Sequence, residues 1–502
     1  MGTHRPPATE GDSDRLTPEL WWLSAIMAFG GFASLLDATI INVAVGPLAA
    51  VFAADLDTVQ WTITGYLLAI TASLPLSGWA TARFGAKQTV IFSQIVFLVG
   101  SVLSGLAWSA TSLIVFRVIQ GIGGGLAVPV GQALLAQAAG PRRLGKLMAI
   151  VSIPALFAPV LGPSLGGVLI DYLDWRWIFF INVPFCLVTI ALVLAKVRNV
   201  VQPSRTAKLD ALGLLLLMPG LVGLIYGLAE AGSAGGFDSA TTLVSLVAGV
   251  VLLVVFTVRA LRKRQNPLLD LSLFRVRDFK NGTAAGVLLS MAMYGVLIPL
   301  PLYFQLVQGT SVLESALLLL PQSIGYLIAV ATMNRFASVL GVRNLSLVGV
   351  VFVIAGTVPF ALITADPNQV LLGAALVVRG MGLGLSMTLT MTIAYSSVSK
   401  EVVPNATSAF NVFQRVGASL GTAVLAVVLQ NQVAGLLPAG TTTLQQVEPG
   451  GDVAHGLASA FGAPFWWALA FTVVALLPVF FLPGRQSPAT APVRAPAPAR
   501  AD

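Results

Sequence analysis

Charge is scarce in this chain: of 502 residues, 10% are Asp, Glu, Lys or Arg, against 56% hydrophobic. A soluble chain of this length divides into a few domains and needs far more surface charge to cover them, so that class is excluded. Cysteine occurs once, as Cys186 in the apolar stretch NVPFCLVTI, and histidine twice, as His4 and His455. That inventory supports no disulfide framework and no metal-spaced Cys/His cluster, and no cofactor is expected. There is no GxxxxGK[ST] loop, and the lone GIGGGL at 121–126 lies in an apolar run that no strand precedes. With neither catalytic nor ATP-driven machinery in evidence, the chain is read as no enzyme, and ion-coupled transport is the leading mechanism.

What the chain has is apolar length. Mean hydropathy is +0.88, and runs near twenty residues recur from Trp21 to Pro483. Each can span roughly 30 Å of hydrocarbon, which predicts an all-α polytopic membrane protein. The first run follows a polar segment carrying Glu10, Asp12, Asp14 and Glu19, so no cleavable leader is expected. Fourteen spans are read, at 21–46, 58–80, 89–108, 112–138, 147–171, 176–196, 209–230, 239–260, 281–306, 312–334, 344–364, 368–396, 405–434 and 457–483.

Charge placement tests that count. Of 28 Lys and Arg, three (Arg117, Arg379, Arg415) fall inside spans and one (Arg176) in an odd-numbered loop, leaving 24 in the tails and even-numbered loops. The odd-numbered loops carry Asp55, Asp57, Asp171, Asp174, Asp238, Asp366 and Asp452. By the positive-inside rule both termini are cytoplasmic, in a cell (plasma or inner) membrane. The net charge of +8 is therefore topological, with attraction to anionic lipid rather than to a nucleic acid.

The expected organisation is a disordered tail (1–19), an N-terminal six-helix bundle (20–200), two inserted helices with a cytoplasmic amphipathic loop (201–280), a C-terminal six-helix bundle (281–485) and a disordered Pro/Ala-rich tail (486–502). Within 261–280 a short helix is expected to lie on the inner leaflet. Two passages repeat: RFGAKQTV (83–90) resembles VLGVRNLS (339–346), and QGIGGG (120–125) resembles RGMGLG (379–384), at offsets of 256 and 259 residues. Near-equal offsets predict a duplicated six-span unit, the architecture of secondary transporters.

Asp37, in FASLLDATIINVAV, is the one carboxylate deep within a span. An ionisable group there costs several kcal/mol and is by default functional. Desolvation favours the neutral form of a carboxylic acid, so binding and release of a proton at such a site becomes possible. Ser34 lies one turn back on the same face, while Thr39 and Asn42 share another, so Ser34 and Asp37 are expected to face a cavity and Thr39 and Asn42 to pack between helices. Arg117, Gln120, Gly121 and Gly124 form one helical stripe. At 1.5 Å per residue Arg117 and Asp37 lie at comparable depth, about 8 and about 13 Å below the outer surface, so they can meet directly or through water.

Several motifs in order are similar to the major facilitator superfamily, specifically its fourteen-span drug:proton antiporter branch. LDATIINVAV (36–45) is similar to LDxTxxNVAL, GWATARFGAK (78–87) to GxLADRxGRK, RVIQGIGGG (117–125) to RxxQGxGxG and APVLGPSLGG (158–167) to GxxxGPxxGG. WRWIFFINVP (175–184) and QRVGASLGTAV (414–424) also resemble this branch. The resemblance implies two pseudo-symmetric six-helix bundles, a proton-transfer role for Arg117, and an antiporter hinge at Gly162, Pro163, Gly166 and Gly167 that allows close contact with the opposite half. It also implies a cytoplasmic gate loop containing Gly78, Arg83, Gly85 and Lys87. Two departures matter: Ala158 replaces the first glycine of the hinge motif, and Ala82 replaces the acid that latches the two halves. A rebuilt latch is expected, in which Arg83 or Lys87 pairs with Glu401; the alternative is a solvated basic loop.

Ser34, Gln120, Arg379 and Arg415 are the expected substrate-cavity residues. Three deep arginines against one aspartate disfavour dicationic substrates and leave neutral, monocationic, zwitterionic and weakly anionic amphiphiles open. The reading is a monomeric, proton-coupled exporter of amphipathic small molecules (drugs, antibiotics or natural products) working by rocker-switch alternating access. Its alternatives are a dedicated exporter of one metabolite or lipid, an uptake symporter and a non-transporting scaffold.

Overall fold

The computed structural model describes residues 16–139, 141–197, 208–233, 237, 239–262, 268–434, 436 and 457–484. Disorder expected for 1–15 and 486–502 falls outside the described residues, but Pro18 and Glu19 are already helical.

The first crossing is α1 (Pro18–Ile40), a 3-10 turn at Ile41–Ala44 and α2 (Val45–Phe52). The second is α3 (Leu56–Ser73) and α4 (Leu76–Phe84), bent by 53° around Pro75. Next come α5 (Ala86–Gly105) and α6 (Ala110–Ala139). The fifth crossing is broken at Ile153 into α7 (Pro141–Ser152) and α8 (Pro154–Tyr172), and the sixth joins α9 (Trp177–Phe180) to α10 (Asn182–Lys196). An inserted pair, α11 (Ala211–Ser233) and α12 (Ala240–Arg262), precedes the second half. That half comprises α13 (Arg277–Gly295), α14 (Pro299–Leu302), α15 (Val312–Leu318), α16 (Leu320–Leu340), α17 (Val342–Ala361), α18 (Gln369–Ser396), α19 (Val403–Ala434) and α20 (Gly462–Phe480). Among the described residues twelve helices are individually long and apolar enough to cross a membrane, and the bent α3–α4 pair adds a thirteenth. The α7–α8 pair lies at the fifth expected span, 147–171, and is not among those thirteen.

Local chemistry sets the helix ends. Thr17 caps α1 from its side chain with Pro18 at the first helical position, and Asn368 caps α18 through Leu371 N. The repeat is visible in the backbone: Gly85 and Gly341 precede α5 and α17 with φ of 84° and 76°, a conformation that favours glycine. The glycine-rich segments correspond as well. A Cβ on Gly123 would lie 2.4 Å from Phe97 N on α5, and one on Gly382 would lie 2.4 Å from Val353 N on α17. These glycines serve close helix packing.

One end of the bundle carries Arg83, Lys87, Arg343 and Lys400, and the other Asp55, Asp174 and Asp366. At the basic end a single apolar cluster draws on both halves, uniting Leu20, Leu134 and Leu147 with Phe279, Tyr395 and Phe410. At the acidic end each half has its own cluster, around Ile41 and Phe179 in one and Tyr303 and Phe461 in the other. The conformation is therefore closed at its basic end.

The inserted pair is clipped together by Arg259, which donates to both carboxylate oxygens of Asp210 at 2.8 Å. Helix α11 also touches both halves: Tyr226 stacks on Trp61 of α3, and Gly232 approaches Ala423 and Ala426 of α19. The segment after α12 departs from the expected surface helix. Residues Leu271–Arg275 form a single 3-10 turn, and Leu268, Leu269 and Leu273 are buried against the protein rather than in a leaflet. Phe274 meets Phe279 and Phe413 edge to face, which docks the segment on the second half.

Candidate ion-coupling site and central cavity

Two helices, α6 and α10, bring polar side chains onto Asp37, which is fully buried, and α3, α5 and α9 complete the network around them. Arg117 Nη1 of α6 pairs with Oδ2. Oδ1 accepts from Gln120 Nε2 at 2.9 Å and from Asn182 Nδ2 of α10 at 2.8 Å. Both amides also donate to Ser101 Oγ of α5, at 3.2 and 3.1 Å, and Ser101 in turn donates to the Phe179 carbonyl. Arg117 is held from its other edges: Nε donates to the Thr62 carbonyl at 3.2 Å, Nη1 donates to Gln120 Oε1 at 2.7 Å, and the guanidinium lies 3.9 Å over the Tyr66 ring. The two carboxylate oxygens of Asp37 together accept three of these bonds, one from the guanidinium and two from amides. Neither Arg117 Nη2 nor Asn182 Oδ1 has a hydrogen-bond partner.

The structure thus joins Asp37 to Arg117 directly, and it adds Tyr66, Ser101, Thr62 and Asn182, which sequence reasoning did not single out. Asn182 lies within the WRWIFFINVP stretch, and a polar residue in an otherwise apolar helix start was the available signal. Gln120, expected in the substrate cavity, belongs to this buried network instead. Asp37 does not face the cavity either.

That cavity, about 260 Å3, lies between the halves. Ser34 lines it, one turn before Asp37, and Tyr66 donates to the Ser34 carbonyl at 3.0 Å while shielding Arg117. Arg415 also lines it, together with Tyr294, Tyr326 and Asn411. Arg379 does not: it is buried within the second half, bonded to Gln322 Oε1 and to the Ala292 carbonyl. The physical reason lies in the repeat, whose 259-residue offset puts Arg379 at the position of Gln120, on the packed side of its helix. Of the other span-1 pair, Thr39 donates to Ala158 O of α8 at 2.8 Å, whereas Asn42 is exposed and packs between no helices.

The hinge glycines pack within their own half. A Cβ on Gly162 would lie 2.1 Å from Thr39 Oγ1, and one on Gly166 would lie 2.6 Å from Val43, so α8 seats closely on the first crossing. Gly167 faces open space, and Pro163 continues α8 without ending it. The close approach is to the first crossing of the same half, not to the opposite half.

Among the described residues no ion pair joins Arg83 or Lys87 to Glu401. Lys87 Nζ donates to the Leu194 carbonyl at 2.9 Å, and Arg83 has no carboxylate partner among the described residues. Glu401 is exposed, and hydrogen bonds from its own backbone and from Ser399 hold its carboxyl below the usual range. Lys87 and Glu401 each bond elsewhere, so the expected Arg83/Lys87–Glu401 latch does not form among the described residues. The basic end is closed by neutral groups instead. Gln132 Oε1 of α6 accepts from Tyr395 Oη at 3.0 Å and Asn411 Nδ2 at 2.8 Å, and Ser408 donates to the Leu74 carbonyl at 3.0 Å. Gly78 of α4 abuts α19, where an added Cβ would stand 2.8 Å from Asn405 Oδ1 and 3.1 Å from Pro404 O. Gly78→Leu is therefore expected to wedge the halves apart and cut transport about tenfold or more, since overpacking costs roughly 1–3 kcal/mol. Glu401→Gln should leave transport unchanged in the same vesicle assay. A fully active Gly78→Leu protein would contradict this closure.

Among the described residues no group of three or more His, Cys, Asp or Glu side chains is arranged to hold a metal ion. Two six-helix halves, a cavity between them and a buried charge pair beside it define a secondary membrane transporter. The chain belongs to the Major Facilitator Superfamily, whose family model matches residues 27–422. The multidrug resistance protein B homolog of Mycobacterium tuberculosis is 32% identical over 500 residues, covering 94% of this chain and 92% of that protein. The multidrug export protein EmrB of Escherichia coli is 30% identical over 412 residues, covering 82% and 80%. Among solved structures, the proton:xylose symporter XylE superposes with a TM-score of 0.61 at 14% identity, covering 91% of this chain and 96% of that one; at that identity the likeness concerns the fold alone.

Proposed function

We propose that the chain is a proton-coupled exporter of amphipathic small molecules in the cell membrane, with its basic end and both termini in the cytoplasm. The observation that carries the reading is the Asp37–Arg117 pair, sealed in the first half and separated from the cavity by Tyr66 and Ser34. Similarity to multidrug resistance and export proteins supports export of drug-like compounds.

A cycle follows from the geometry. A proton arriving from outside neutralises Asp37 and dissolves its ion pair, while Arg117 keeps the Thr62 carbonyl and the Tyr66 face. Rotation of the Asn182 amide presents Oδ1, unpartnered here, to the new O–H. Tyr66 carries the change to Ser34 and thus to the cavity wall, coupling proton occupancy to the rocking of the halves. Release of the proton on the cytoplasmic side restores the ion pair.

Proteoliposomes containing the purified chain and no ATP test this, with ethidium, dansylglycine and dansylglycinamide as transported probes. An imposed pH gradient, acid outside in the cellular sense, should drive export of at least one probe, with matching proton entry. Export that persists unchanged after a protonophore collapses the gradient, without accompanying proton flux, would overturn the reading.

A further inference from the structure

The three arginines inside the spans differ in what satisfies them. Arg117 pairs with Asp37, and Arg379 bonds to Gln322 and a backbone carbonyl. Arg415, on α19, makes no hydrogen bond or ion pair with any described residue, and its Nε is buried without a partner. Among the described residues it is also the one formally charged group lining the central cavity, and no carboxylate lines it. An uncompensated guanidinium in such a place is costly, and the ligand that offsets the cost best is a planar oxyanion, which can accept two parallel N–H bonds.

The rest of the wall says what such an anion is attached to. Met27 of the first half and Met293, Met387 and Met391 of the second present flexible, polarisable apolar surface that accommodates bodies of differing shape. A volume of about 260 Å3 is near the lower limit of roughly 300–1,000 Å3 for drug-sized ligand cavities, which favours small amphiphiles.

We propose that Arg415 is the head-group site of the cavity and that the transported substrates are monoanionic amphiphiles, carrying one carboxylate or comparable oxyanion on a compact apolar body. This rests on the export reading and narrows it. A quaternary ammonium compound finds no counter-charge in the same cavity and meets Arg415 as a like charge. The choice of substrate charge also has an electrical consequence: an anion leaving as a proton enters moves positive charge inward on both legs, so the membrane potential drives export in addition to the pH difference.

Equilibrium binding to the full chain in nanodiscs, without any gradient, separates this from the coupling mechanism. The probes share one fluorophore and differ in head group: dansylglycine, dansylglycinamide and a dansyl quaternary ammonium. The wild-type protein should bind the carboxylate about tenfold or more tighter than the amide, in keeping with charge-assisted hydrogen bonds, and the ammonium most weakly. Arg415→Gln should bring the carboxylate down to the level of the amide and leave the amide unchanged, and Arg415→Lys should retain part of the preference. Equal binding of the three probes by wild type, or an undiminished carboxylate preference in Arg415→Gln, would overturn the proposal. The wild-type comparison decides the matter even where a variant fails to fold. A carboxylate preference without gradient-driven export would refute the coupling reading and leave the anion site standing.

Discussion

Asp37→Asn is expected to abolish gradient-driven export and the accompanying proton flux, down to the level of vesicles without protein, while the chain remains folded and inserted. Asparagine has nearly the shape of aspartate and still offers one oxygen to Arg117 and its neighbours, but it binds no proton between states. The guanidinium loses its counter-charge yet keeps the Thr62 carbonyl, Gln120 Oε1 and the Tyr66 face. One-sided loss of a buried pair costs about 3–5 kcal/mol, and with these contacts kept and no cavity opened the loss should fall at the lower end of that range. Dansylglycine binding should survive, because Arg415 belongs to a helix of the other half and lines the cavity, which Asp37 does not. Parallel measurement of proton flux, probe export and probe binding separates lost coupling from lost folding. Proton flux at the wild-type rate in Asp37→Asn would remove Asp37 from the coupling mechanism.

Arg117→Ala should do something different: it should destabilise the protein outright. The substitution strips Asp37 of its only cation and empties the volume between Tyr66 and Phe179, where the guanidinium now sits. Two amide donors remain on Oδ1, but neither supplies charge. Breaking a buried pair from one side costs about 3–5 kcal/mol, more than the pair itself contributes, because the surviving charge is left without compensation. Thermal unfolding in detergent, followed by intrinsic tryptophan fluorescence, should show the loss. The double variant Asp37→Asn/Arg117→Ala should recover a large part of the stability, since neither charge remains, and none of the coupling. An Arg117→Ala protein as stable as wild type would mean that Asp37 is not held as a carboxylate by this arginine.

What was legible in the sequence follows from what a bilayer penalises. Apolar length marks the crossings, and the segregation of Arg and Asp across alternate loops fixes their number, since a one-helix error scrambles it. Asp37 and Arg117 stand out because each is an expensive charge in an apolar run, and their common depth follows from the helical rise. The repeat at Gly85 and Gly341 is legible because both positions need a backbone conformation that other residues rarely adopt.

Rotation about the helix axis was not legible. Gln120 and Arg379 lie on glycine-lined faces that sequence alone does not orient, and both turn into packed interiors instead of the cavity. The closure of the basic end was likewise hidden. Gln132, Tyr395, Asn411 and Ser408 are neutral and unremarkable in type, and they become a latch only when two halves meet. The loss of the acid at Ala82 pointed to an electrostatic repair elsewhere, but the contacts that join the halves among the described residues are uncharged. Because neutral hydrogen bonds and apolar contacts are little screened, closure here should respond weakly to ionic strength.

The placement of α11 bears on how cargo arrives from the lipid. A two-halved carrier has two seams along which a molecule dissolved in a leaflet can slip sideways into the interior. Here the seam between α3 and α19 is curtained by α11, with α12 outside it, whereas among the described residues neither inserted helix packs on the seam where α8 meets α15 and α16. On the export reading proposed above, a compound arriving from the bilayer has one uncovered seam rather than two, and its recruitment is expected to be one-sided.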